Sequence, residues 1–139
     1  MVERLVGNNN DLVDLKWYFK PLRPSVILIE GVNMNKIHKC KITVLKRTLN
    51  QDFVERFLES EYCNISLCEC FEEGQEFEVD LSQLPNDFEK NCPHAWLDIC
   101  KDVSMIAYGA NIPGYREEGT IISSCTDWFR PVIFKIERV

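Results

Sequence analysis

A chain of 139 residues is enough for one hydrophobic core, and its 45% apolar and 27% charged composition is that of an ordinary folded protein, not a disordered one. Its formal net charge of −6 argues against nucleic-acid binding, which calls for a basic surface to neutralise phosphates. No run approaches the ~20 apolar residues that span a bilayer, so no membrane-crossing helix is expected.

In chain order, residues 1–33 differ from the rest. "GNNNDL" signals a loop or cap, "LVDLKWYFK" suits a short amphipathic helix, "PLRPS" breaks a helix and "VILIEGV" suits a strand. Met34 then opens a stretch long enough to make a compact domain alone, so residues 1–33 are expected to be an appended arm or to follow an upstream start. The apolar "VILIEGV" would need burial, as an edge strand or against another copy, which makes a homo-oligomer the expected state. The N-terminus lacks the charged start and apolar core of a secretory signal, so the expected location is the cytoplasm.

From His38 the periodicities sharpen. Cys40, Ile42 and Val44 alternate with Lys39, Lys41 and Thr43, predicting a half-buried strand whose lysines lie on a solvated face. Asn50 is placed to cap a helix from Gln51 to about Glu59, with Phe53, Phe57 and Leu58 as its buried stripe. "CFEEGQEFEVD" predicts a turn at Gly74 and a strand with Phe77 and Val79 inward. Cys92 and Pro93 form a helix start, proline being tolerated where no N–H partner is needed. Trp96, Ile99, Cys100 and Val103 follow at helical spacing and should face the core. "AYGANIPGY" predicts a loop, "GTIISSCTD" a strand, and "RPVIFKIERV" a closing strand with Val132, Phe134 and Ile136 on one face. The expected fold is a small single α+β domain over 34–139, a mostly antiparallel sheet of four to six strands with two main helices.

Three stretches, "CECFEEGQEF", "CPHAWLDI" and "CTDWFRPVIFKIER", together resemble a family of small uncharacterised prokaryotic proteins. That family carries C-x-x-F-x-x-G-x-x-F, then C-P-x-A-W-x-D-I, then C-T-D-G-x-R-P-V-x-F-K, usually after a strand like "KCKITVLKR". The resemblance implies that Cys68, Cys92, Asp98, Cys125, Asp127 and Arg130 occupy signature positions. Trp128 replaces the pattern's glycine, and His94 stands where another aromatic is common. The resemblance brings no activity with it.

Seven cysteines is an odd number for a disulfide framework, and cytosolic thiols are normally reduced. Three uses stay open. Cys68, Cys92, His94 and Cys125 would supply a tetrahedral set of soft ligands for zinc or iron if the fold gathered them, although no paired C-x-x-C framework is present. Cys92 would be a catalytic or redox thiol, since a helix N-terminus favours thiolate, with Cys125 or Cys68 as resolving partner. The third use is burial, because free cysteine packs as a small hydrophobe. Asp98, Asp127 and Arg130 are candidates for binding an anionic or other small-molecule ligand, with a hydrogen-bonded turn as the competing reading of "TDWFRP". The leading expectation is a small-ligand or metal-binding protein with a pocket bordered by the signature cysteines. A thiol-dependent enzyme and a structural subunit are the competing classes.

Overall fold

The computed structural model describes residues 36–139. The expected arm, with its "VILIEGV" strand, lies outside the described residues. What is described is a small α+β unit built on one four-stranded sheet.

Strand β1 (Cys40–Arg47) is followed by helix α1 (Gln51–Phe57), strand β2 (Glu76–Val79), helices α2 (Asp87–Asn91) and α3 (Pro93–Ala107), and strands β3 (Thr120–Ser124) and β4 (Val132–Arg138). The strands lie in the order β2-β1-β4-β3, all neighbours antiparallel. The alternation read in β1 and β4 puts Cys40, Ile42, Val44, Val132, Phe134 and Ile136 on one buried face. Against that face pack Ile99, Val103 and Ile106 of α3, together with Phe71 and Phe88. The expected positions of Trp96, Ile99 and Val103 hold; Cys100 is only partly buried at the edge of the same core.

The opposite sheet face is polar and internally paired. Lys39 meets Glu78, Lys41 meets both Glu76 and Glu137, and Lys135 meets Glu137. Exposed pairs of this kind add little stability, but they do neutralise Lys39 and Lys41. Lys39 and Lys41 of the segment 36–47 are thus engaged by carboxylates of the neighbouring strands, as on a solvated face.

Two expectations for α1 need correction. Its buried residue is Val54, while Phe53 and Phe57 are 42% and 63% exposed and stack edge-to-face on each other. The helix is too short, at seven residues, to carry a long stripe. Asn50 does precede the helix, but its side chain makes no cap bond; its amide donates to the Trp128 carbonyl at 2.6 Å, fastening α1 to the turn before β4. Helix α2 is an additional element. Asn86 Oδ1 accepts from the Glu89 N–H at 2.8 Å and starts it.

Candidate functional site

The seven cysteines are free thiols, and the fold sorts them into two groups. Four are occupied by backbone. Cys40 Sγ is directed at the Val103 carbonyl at 3.7 Å, and Cys100 Sγ at the Leu97 carbonyl at 3.6 Å. Cys63 Sγ faces the carbonyls of Val54, Leu58 and Glu59 within 3.5–3.8 Å, closing the end of α1. Cys125 is buried, and its sulfur accepts from the Val132 N–H at 3.4 Å. In these places cysteine behaves as a small apolar residue with a weak polar tip.

Cys68, Cys70 and Cys92 form the second group. The thiol of Cys70 is pushed up to about 11 by burial and by the Cys68 and Cys92 thiols beside it. Although Cys70 as a residue is exposed, desolvation of its thiol acts first, and the two neighbouring thiols add to it. A second thiolate next to a first is unfavourable, so proximity holds the proton on.

The meeting of these thiols follows from aromatic packing. Phe71, directly after Cys70, is fully buried, and its ring stacks on Phe88 with centroids 5.2 Å apart. Phe88 lies one helical turn before Cys92 and also touches Trp96, one turn after it. The contact that joins the two segments in the core therefore brings their cysteines together at its rim. Each backbone is then pinned. Arg47 Nη1 donates to the Cys68 carbonyl at 2.9 Å, and Asn91 Nδ2 donates to the Cys70 carbonyl at 2.6 Å.

Cys92 itself is the hinge between two helices. Its N–H closes α2 onto the Phe88 carbonyl at 3.0 Å, and its own carbonyl accepts the first bond of α3, from Trp96 at 3.1 Å. The extended backbone at φ −150°, ψ 95° separates the helices, and the thiol makes no cap bond. The sequence expectation of a thiol at the start of a helix opened by Pro93 therefore holds.

Of the expected metal set, Cys68 and Cys92 come together through Cys70. Cys125 is held in the β4 ladder, and His94 is exposed on the first turn of α3. Among the described residues, no group of three or more His, Cys, Asp or Glu side chains is arranged to hold a metal ion.

The expected Asp98, Asp127 and Arg130 set divides into two structural devices. Asp127 Oδ1 accepts from the N–H groups of Phe129 and Arg130, each at 3.1 Å, while Oδ2 pairs with Arg130 Nε at 3.1 Å. That is a turn pinned by its own carboxylate. Asp98 accepts from the Thr126 N–H at 2.7 Å and its hydroxyl at 3.0 Å. One turn further along α3, Asp102 accepts from the Ser123 hydroxyl at 2.5 Å. Both carboxylates thus tie α3 to β3 and the chain beyond it.

Reasoning from sequence passed over Cys70, Arg47 and Asn91. Cys70 stands inside the family's C-x-x-F spacing, not at one of its signature positions. Neither Arg47 nor Asn91 carries a local signal, because each acts on a carbonyl 21 residues away. No protein-family model matches the chain, and no curated protein or solved structure matches it either.

Proposed function

We propose that this is a cytoplasmic thiol protein whose Cys68, Cys70 and Cys92 undergo reversible thiol–disulfide exchange. The observation that carries the reading is the division of the cysteines: four thiols are taken up by backbone groups, and the other three converge on Cys70. Disulfide formation needs only two thiols in reach, and Cys70 has two neighbours.

The step is written from Cys92, the thiol at the start of α3. Its sulfur, as thiolate, attacks one sulfur of a substrate disulfide, and the first substrate thiol leaves with the proton Cys92 gave up. Cys70 then attacks the Cys92 sulfur of that mixed disulfide. A Cys70–Cys92 bond forms, and the second substrate thiol departs with the Cys70 proton. Two protein thiols lose two electrons, and one disulfide becomes two thiols. Once Cys92 is taken up in the mixed disulfide, its thiol no longer opposes ionisation of Cys70, which favours the second attack.

The test is oxidation with bis(2-hydroxyethyl) disulfide followed by peptide mapping. A Cys70–Cys92 or Cys68–Cys70 bond, and accumulation of a mixed disulfide at Cys92 in Cys70→Ser, support the reading. Absence of any bond within the trio overturns it.

A soft metal or small ligand held by the same thiols is the second reading, favoured by the crowding that raises Cys70, because a cation relieves thiolate repulsion. It needs the three thiols to rearrange around the ion, because among the described residues no group of three or more His, Cys, Asp or Glu side chains is arranged to hold one. Titration with cadmium, read by thiolate charge-transfer absorption, tests it. The family resemblance belongs to the same proposal, since Cys68 and Cys92 are its signature positions. So does self-association, which the exposed Phe53, Phe57 and Trp128 favour.

A further inference from the structure

The thiols stand in an acidic stretch. From Glu59 to Glu73 the chain reads "ESEYCNISLCECFEE", with five glutamates and no lysine or arginine. All five are exposed. Glu69 lies between Cys68 and Cys70, its Cα one residue step of ~3.8 Å from each of theirs. Glu72 follows Cys70 by two residues. On the other segment Glu89 lies three residues before Cys92, and its Oε2 is buried without a hydrogen-bond partner.

The cations around the site are fewer than these carboxylates. Arg47 brings one positive charge to the loop, where its Nη1 donates to the Cys68 carbonyl and its backbone N–H to Glu73 at 2.9 Å. Lys90 pairs with Asp87 at 3.1 Å. His94 is exposed on α3. A disulfide approaching Cys92, Cys70 or Cys68 therefore meets a negative field, over distances where exposed charges still act within a Debye length.

Resting on the thiol-exchange reading, we infer that the site selects disulfides bearing positive charge next to the sulfur and disfavours anionic ones. Glu69 and Glu72 are the specificity-determining residues. They act on the encounter, not on the sulfur chemistry, so their effect is screened by salt.

The experiment measures oxidation of the full chain by three disulfides of similar size: cystamine (cationic), bis(2-hydroxyethyl) disulfide (neutral) and 3,3′-dithiodipropionate (anionic). Each rate is divided by that of a small neutral monothiol with the same reagent, which removes intrinsic reactivity. The expected normalised preference for cystamine over the dianion is ~10-fold or more at low ionic strength, collapsing toward unity in concentrated salt. The Glu69→Gln, Glu72→Gln double variant should narrow that ratio several-fold. Equal normalised rates for all three reagents overturn the inference while leaving thiol exchange standing. Failure of the neutral reagent to oxidise any pair of the trio overturns thiol exchange itself. A cationic preference that survives high salt, or the double variant unchanged, also overturns the assignment to these glutamates.

Discussion

Arg47 Nη1 donates to the carbonyl of Cys68 at 2.9 Å, so the last residue of β1 holds the backbone of the thiol loop. Arg47 also closes the strand's pairing with Val132 of β4, which gives the guanidinium a rigid base. Replacing it with methionine keeps the apolar stem and removes the donor. A charge-assisted bond of this type is worth ~1.5–3 kcal/mol, and partial exposure puts the expected loss at the low end. Arg47→Met should lower unfolding stability by ~1.5 kcal/mol in urea titrations. It should also raise the alkylation rate of Cys68 relative to Cys125, measured by mass spectrometry.

Asp98 binds Thr126 through both its N–H and its hydroxyl, so α3 and the chain after β3 meet at one carboxylate. Asp98→Ala should cost ~1.5–3 kcal/mol, the range for hydrogen bonds to a charged group. Asp98→Asn, which keeps a carbonyl acceptor, should cost less. Were Asp98 instead a ligand-binding group with no part in the fold, both variants would unfold at the wild-type urea midpoint.

Val54 is fully buried whereas Phe57 is 63% exposed, the reverse of what residue size alone suggests. Val54→Ala should therefore destabilise by ~1–2 kcal/mol through lost burial and a small cavity. Phe57→Gln should stay within ~0.5 kcal/mol, as surface changes do. Thermal melts of the two variants check this, and a larger loss for Phe57→Gln would contradict the placement of α1.

The Cys40 thiol is pushed up from 9.0 to about 11, chiefly by burial, with Arg138 acting weakly in the opposite direction. Below pH 9 both the folded and the unfolded chain keep this proton, and its contribution to stability is complete. Between pH 9 and 11 the unfolded chain releases it while the fold retains it, so stability falls with rising pH. Urea titrations at pH 7.5 and pH 10.5 should show a larger loss for the wild type than for Cys40→Ala. Equal losses would mean that the thiol does not carry the effect.

Cys70 is expected to resist neutral-pH alkylation, because its neighbours Cys68 and Cys92 and its burial hold the proton on to about 11. Its iodoacetamide labelling should increase as pH rises toward that value, and Cys92→Ser should shift the rise downward by removing one of the opposing thiols. A labelling curve unaffected by Cys92→Ser would separate the two thiols.

The sequence by itself determined the elements whose periodicity is carried by consecutive neighbours. The two-residue alternation of β1 and β4 and the Cys92–Pro93 helix start hold because one face of each element is buried on the sheet or against it. It left the turn at Asp127 as one of two readings, beside ligand binding, although the partners of that carboxylate lie only two and three residues away. Only the tertiary structure decided the facing of α1, since a seven-residue helix has too few turns for a stripe to specify its neighbour. It alone decided the partners of Asp98 and Arg47, and which cysteines meet. Cys68, Cys70 and Cys92 converge because Phe71 and Phe88 stack in the core, a contact between residues 17 positions apart that no local pattern announces.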